Sequence, residues 1–218
     1  MTATVMVIGA SRGIGLELAR QYAADGWRVH VTTRTPDRPG KLGQLDGNVM
    51  LHELDVRRAD QTAALAAAVA AEGIDLLIHN AGVMDRRLSH DEVMAINAEA
   101  PIRVTQALLD AVRRGCEKKI VLMTSQLGAR YGSTRRLGTY GESKAALNDC
   151  FRELAPSWGA EGLIAIVMHP GWVRTDMGGR GATLSVEESV TGMRRVIAGL
   201  TATEHGRFWT WDGREHPW

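Results

Sequence analysis

Cysteine is scarce in this chain of 218 residues: Cys116 and Cys150 are too few and too far apart for a metal cluster or a disulfide framework. Reduced structural thiols are expected, neither of them a nucleophile, and no metal. An excess of charge of either sign is also missing. With 26 lysines and arginines against 25 acids, the net charge of +1 recommends neither nucleic acid nor an acidic membrane as partner. No apolar run approaches the ~18 residues of a membrane span, and the N-terminus enters a strand pattern without the features of a signal peptide. A cytoplasmic protein is the expectation. No polar linker, composition shift or internal repeat divides the chain, so residues 1–218 read as one domain.

What the chain does have is a glycine turn. The apolar run Val5-Met6-Val7-Ile8 passes into Gly9-Ala10-Ser11-Arg12-Gly13-Ile14-Gly15, after which Ile14, Leu18 and Tyr22 recur at helical spacing. Backbone without Cβ can turn tightly, let a pyrophosphate approach its N–H groups, and bring the new helix close to the sheet with its positive end toward the phosphates. The spacing Gly-x-x-x-Gly-x-Gly departs from the commoner Gly-x-Gly-x-x-Gly, and a glycine turn without a ligand stands beside this reading.

The punctuation recurs along the chain. Gly26 precedes a strand at 27–33, Gly73 one at 74–78, Gly115 one at 120–123 and Gly162 one at 163–167, with helical segments between them. Near-continuous apolar strands alternating with helices demand a parallel sheet covered on both faces. About seven strands are expected. Ser89 with Glu92 and Ser185 with Glu188 form capping boxes that mark helix starts.

In such a fold the end of the second strand meets the adenosine ribose, where an acid would accept from a free 2′-hydroxyl. Arg34 stands there instead, and its guanidinium, with Arg12 in the turn, suits a 2′-phosphate; this favours NADP(H) over NAD(H), with a solvated loop charge as the alternative. Asp55, read at the end of the third strand, could accept from an adenine amino group or simply cap the strand. Asn80-Ala81-Gly82 closes the fourth strand with small residues that allow a cofactor close passage, or a tight turn.

Tyr140 and Lys144 lie four residues apart, on one helix face, where the ammonium would favour phenolate and lower the tyrosine's pKa. Ser125, after Met123-Thr124, is expected at the carboxyl edge of the sheet, where open α/β folds bind ligands. Four residues beyond Asn97 stands Pro101, which has no N–H to give the Asn97 carbonyl; either a helix runs through with that carbonyl free, or Pro101 marks a helix start or kink.

Taken in order, Gly9-x-x-x-Gly13-x-Gly15, Asn80-Ala81-Gly82, Asn97, Ser125, Tyr140-x-x-x-Lys144 and Pro170-Gly171 resemble the short-chain dehydrogenase/reductase family over nearly the whole chain. The tail, with Asp212-Gly213 and a final Pro217-Trp218, is similar to the small C-factor and sniffer-type carbonyl reductase members. The resemblance implies a single-domain Rossmann-type doubly wound sheet and hydride transfer between nicotinamide and a carbonyl or alcohol substrate. Tyr140 would be the general acid or base, Ser125 would bond the substrate oxygen, Lys144 would bind the nicotinamide ribose, and Asn97 would hold a water in the proton relay. The cofactor would also meet Ser11, Ile14 and Val56, besides the glycines of the turn, and would run past Pro170 and Gly171 with Val173 and Thr175 near the carboxamide. A homodimer or homotetramer is implied as an option.

The chain departs from the family pattern around the expected substrate cleft. Fourteen residues separate Ser125 from Tyr140, a longer loop than the family usually has, carrying Tyr131, Arg135 and Arg136. The cover at 176–184 is short and holds three glycines, implying a small, open or mobile lid. Arg86, Arg87, Arg130, Arg135, Arg136 and Arg180 could draw an anionic substrate to the carboxyl edge, or be solvated loop charges. The tail at 208–218 carries three of six tryptophans and is expected either to cover the substrate cleft, with Trp218 or its neighbours helping shape an apolar pocket, or to cap the sheet edge or meet another subunit. Beside the enzyme stands a second function, an NADP(H)-binding regulatory protein with little turnover.

Overall fold

The computed structural model describes residues 2–85, 87–130 and 138–218. Among them, strands β1 (Thr4–Ile8), β2 (Arg28–Thr33), β3 (Val49–Glu53), β4 (Leu76–His79), β5 (Lys119–Met123), β6 (Ile164–His169) and β7 (Phe208–Thr210) form one sheet. The order is β3-β2-β1-β4-β5-β6-β7 and every pair is parallel. The central strands are mainly apolar because their residues face one of two cores. Val5, Val7, Ile166 and Met168 pack toward α1 (Gly13–Ala24) and α6 (Val186–Ala198), whereas Met6, Ile8, Ala165 and Val167 pack toward α2 (Ala59–Ala68), α4 (Ala100–Arg114) and α5 (Gly138–Ala160).

The chain turns outward in opposite directions from β1 and β4, which are neighbours, and that switch point opens a crevice at the carboxyl edge. The glycine turn leaves β1 there and Asn80 leaves β4 beside it. Both expected capping boxes are present, Ser89 with Glu92 at the start of α3 (His90–Met94) and Ser185 with Glu188 at the start of α6. Some strand limits differ from expectation. β4 begins at Leu76, because Ile74 bonds to the Ala111 carbonyl outside the sheet; Ser125 lies two residues past β5, and Asp55 two past β3. No helix among the described residues is long and apolar enough to cross a membrane.

Helix α3 continues into α4 through a π-turn at Ala95–Glu99, so the helix runs through Pro101 and does not start there. The change of register falls where Pro101 cannot supply the bond that the Asn97 carbonyl would otherwise receive.

After β7 the chain turns at Asp212-Gly213 and returns along the sheet edge, with the His216 N–H donating to the Phe208 carbonyl at 2.7 Å. Trp218 does not reach the cleft. Its ring lies 5.7 Å from that of Phe208 and 6.2 Å from that of Phe151, with the Arg152 guanidinium 5.3 Å over its face. Packed there, the ring covers an edge that would otherwise expose Phe208.

Candidate active site

The glycine turn is held from three sides. The Gly9 N–H donates to Thr32 Oγ1 at 2.9 Å, the Gly9 carbonyl accepts from Asn80 Nδ2 at 2.8 Å, and a Cβ on Gly9, whose φ is +84°, would meet Ala81 Cα at 2.8 Å. A Cβ on Gly15 would stand 2.1 Å from the Gly9 carbonyl oxygen, so only glycine lets α1 approach the turn. Asn80 thus shapes the turn from the neighbouring strand. Arg12, at the N-cap of α1, makes no side-chain cap bond, and the first turn holds no acid, so the helix presents unpaired N–H groups and its positive end to the crevice. Ser11 is exposed in the turn and Ile14 half-buried. These features fit a dinucleotide's pyrophosphate.

The segment after β6 closes over the same turn. A Cβ on Gly13 would lie 3.3 Å from Thr175 Cγ2, Val173 is buried, and Arg12 pairs with Asp176 at 3.1 Å. Residues 174–185, where a short cover is expected, form turns without a helix. Further out, Arg34 is exposed past β2. Both Asp55 oxygens are engaged by Arg57, whose guanidinium holds the carboxyl down at about 2, so the strand-end cap is the role on view for Asp55. Val56 is buried in the α2/α4 core and its carbonyl accepts from Arg103.

Tyr140 and Lys144 project from α5 toward Ser125. The Ser125 hydroxyl accepts from the Leu127 N–H at 3.2 Å and lies close enough to the Tyr140 phenol to act on its titration. Lys144 is buried and donates to the Met123 carbonyl at 2.9 Å; a Cβ on Gly82 would come within 3.5 Å of its Nζ and 3.2 Å of Asn97 Oδ1. Asn97 is fully buried, donating to the Val83 carbonyl at 2.8 Å and to Ser143 Oγ at 3.0 Å while accepting from the Val83 N–H at 2.8 Å. Its side chain is therefore spent on fixing the loop after β4 against α5.

The electrostatics depart from expectation. Burial pushes the Tyr140 phenol above its ordinary value, with Ser125 acting the other way, and burial pushes Lys144 down to about 8. Desolvation outweighs the ammonium, which lies 6.0 Å from the ring centroid.

Residues 3–183 match the model of the short chain dehydrogenase family. The chain belongs to that family. As an oxidoreductase of this family it is similar to the C-signal protein of Myxococcus xanthus, at 40% identity over 164 residues that cover 71% of this chain and 99% of that one. Among solved structures it resembles the carbonyl reductase Sniffer of D. melanogaster, with TM-score 0.90, 25% identity and full coverage of both chains. It also resembles the NADPH-bound carbonyl reductase from chicken fatty liver, with TM-score 0.89, 29% identity and coverage of 100% of this chain and 94% of that one.

Of the arginines expected at the carboxyl edge, two are paired with acids. Arg87 pairs with Asp85 at 2.7 Å and Arg130 with Asp149, while Arg86, Tyr131, Arg135 and Arg136 lie outside the described residues. Two histidines carry no signal in the sequence. His79 ends β4 and His169 ends β6; both are buried, His79 with both ring nitrogens unpaired and His169 with Nδ1 unpaired. Only their place at the carboxyl ends of apolar strands, before Asn80 and Pro170, could have marked them.

Proposed function

We propose that the oxidoreductase interconverts carbonyl compounds and alcohols with NADP(H), using Ser125, Tyr140, Lys144 and Asn97. The observation that carries this is the Tyr140/Lys144 pair on α5, Lys144 buried and the phenol beside Ser125, at the same sheet edge as the uncapped start of α1. When bound, the nicotinamide supplies or accepts the hydride. Ser125 orients the substrate oxygen and Tyr140 gives it a proton in reduction, or takes one in oxidation. A phenol held above its ordinary pKa keeps its proton at neutral pH, which suits the reducing direction. Lys144 at about 8 remains largely charged at neutral pH beneath the site, and Asn97 fixes the loop that carries Gly82.

The turn from Gly9 to Gly15 would take the pyrophosphate, with Asn80, Ala81 and Gly82 passing the cofactor, and Pro170, Gly171, Val173 and Thr175 beside the nicotinamide. Asp55 and Val56 would flank the adenine. Arg34 and Arg12 would take the 2′-phosphate. The exposed Arg12–Asp176 pair is worth at most about 1 kcal/mol, whereas a charge-assisted phosphate bond is worth ~1.5–3, so Arg12 can exchange its partner on binding. Among the described residues, Met84, Trp172 and Met177, at 52%, 53% and 39% exposure, are the large apolar side chains left most open, and all three stand on loops at this edge. They favour a substrate with an apolar body.

The test is loss of NADPH absorbance over a panel of aldehydes and ketones. Turnover with NADPH well above NADH is expected. Tight NADPH binding without turnover of any compound would instead favour the regulatory reading, to which the name of the C-signal relative lends some support.

A further inference from the structure

His169 is only 9% exposed, and its Nδ1 is shielded from solvent without a hydrogen-bond partner. A buried polar atom left unpaired calls for an explanation, and a ligand group is one. The residue borders a cleft of about 510 Å³ whose walls include Gln126, Trp172, Leu184, Trp211 and the tail at 214–217. Residues 165 and 167 of β6 face the core beneath α5, so His169 lies on that same face, the one that carries Tyr140. The Thr124 N–H donates to the Met168 carbonyl at 2.9 Å, which sets His169 one strand spacing, about 4.8 Å, from the segment that leads to Ser125.

The cleft has aromatic walls held in place. Trp172 is exposed, yet its Nε1–H donates to the Gly178 carbonyl at 2.9 Å. Trp211 is wedged between two glycines: a Cβ on Gly171 would come 2.9 Å from its ring, and one on Gly192 2.6 Å. The charges along the tail are spent among themselves, Arg214 on Asp212 at 2.7 Å and Glu215 on Arg207 at 2.9 Å. Burial, with His216 nearby, holds His169 down at about 4 against the opposite pull of Asp212, so at neutral pH it offers one donor and one acceptor.

We propose that His169 is a specificity-determining residue that hydrogen-bonds an uncharged hydroxyl or second carbonyl of the substrate, while Trp172 and Trp211 flank the ring or chain carrying that group. This rests on the carbonyl reductase reading of the site. The substrate class it selects is a ketone or aldehyde with an apolar, preferably flat body and a neutral hydrogen-bonding group about a ring's width from the reacting carbon.

The test compares 3-hydroxybenzaldehyde with 3-methylbenzaldehyde, using the NADPH-loaded protein. The hydroxyl-to-methyl ratio of kcat/KM should fall about tenfold or more in His169→Leu, with the methyl substrate little changed. His169→Asn, which keeps a donor and an acceptor near Nδ1, should hold most of the ratio. A ratio unchanged in His169→Leu, or no preference in the wild type, overturns the proposal; His169→Met replaces the leucine variant if that does not fold. Calorimetry of 3-hydroxybenzyl and 3-methylbenzyl alcohol on the NADP-loaded protein separates this from the parent reading. Without any turnover, hydroxyl-selective binding that His169→Leu abolishes upholds the site and sinks the reductase reading, and unselective binding overturns the site.

Discussion

Asp75 and His79 lie four residues apart at opposite ends of the β4 region, and the chain treats them in opposite ways. Asp75, at the amino edge, accepts from the Thr4 N–H at 2.8 Å and the Cys116 N–H at 2.6 Å, tying β1, β4 and the approach to β5 with one carboxylate. His79, at the carboxyl edge, is 1% exposed and neither ring nitrogen has a partner. At the amino edge, too, Gly115 lets backbone meet backbone, since a Cβ there would stand 2.1 Å from the Ile74 carbonyl oxygen. The carboxyl edge instead holds the uncapped start of α1, His79 beside the charge of Lys144, and His169. A polar group satisfied within the protein contributes to stability; one left unsatisfied costs stability and remains available to a ligand. One edge is closed by its own bonds, and the other holds the groups assigned to the proposed chemistry.

The largest effect that would separate the two edges is on the rate. Tyr140→Phe should lower kcat/KM by ~10²–10⁴, the usual contribution of a positioned proton donor, while the melting temperature and NADPH affinity stay near wild type. A variant retaining most of the wild-type rate would remove Tyr140 from the chemistry. Asp75→Ala should do the reverse. It leaves three N–H donors without their charged acceptor, so denaturant unfolding should show a loss of about 3 kcal/mol, with kcat of the folded fraction within about twofold. A large fall in kcat with little loss of stability would mean that the edges are not separable.

A smaller effect sharpens the comparison within the carboxyl edge. Arg34→Asp should lower NADPH affinity by roughly one to two decades and favour NADH, since it removes a charge-assisted partner worth ~1.5–3 kcal/mol and supplies an acceptor for a free 2′-hydroxyl. Calorimetry with both cofactors measures it. Equal affinities in the wild type would leave Arg34 a solvated charge.

The amino edge and the sheet were legible because they follow from pattern. Alternating burial demands apolar strands such as 5–8 and 164–168, and the capping boxes at Ser89 and Ser185 declare their helices through local bonds. The glycine turn and the Tyr140/Lys144 pair were legible because glycine has few substitutes in a close approach and because helical spacing puts the pair on one face. What escaped depends on three-dimensional competition. Whether Lys144 or burial governs the Tyr140 phenol is decided by solvent exclusion, which spacing does not reveal. For Trp218 the sequence left cleft and sheet edge both open, and its packing on Phe151 at the edge after β7 appears only once the strands are in order. His79 and His169 look like ordinary strand-end residues until their partners are sought.

The smallest effect concerns the pH dependence of stability. Burial, with the Lys144 charge adding to it, holds His79 down at about 3, against about 6.5 in the unfolded chain. Between those values the unfolded state binds more protons than the folded one, so stability rises with pH, is fully present above about 6.5, and is lost as pH falls toward 3. One such histidine contributes a slope of up to ~1.4 kcal/mol per pH unit. His30, His52 and His169 are also lowered by burial and act in the same sense, so His79→Leu should reduce the slope by nearly one proton and leave the rest. Urea unfolding from pH 7 to pH 4.5 measures this. The variant should gain on the wild type steadily as pH falls, because leucine has no proton to take up on unfolding and no ring nitrogens to leave unpaired. Parallel curves for variant and wild type would mean that His79 is not held neutral, and that the unpaired imidazole at the carboxyl end of β4 has found a partner in solution.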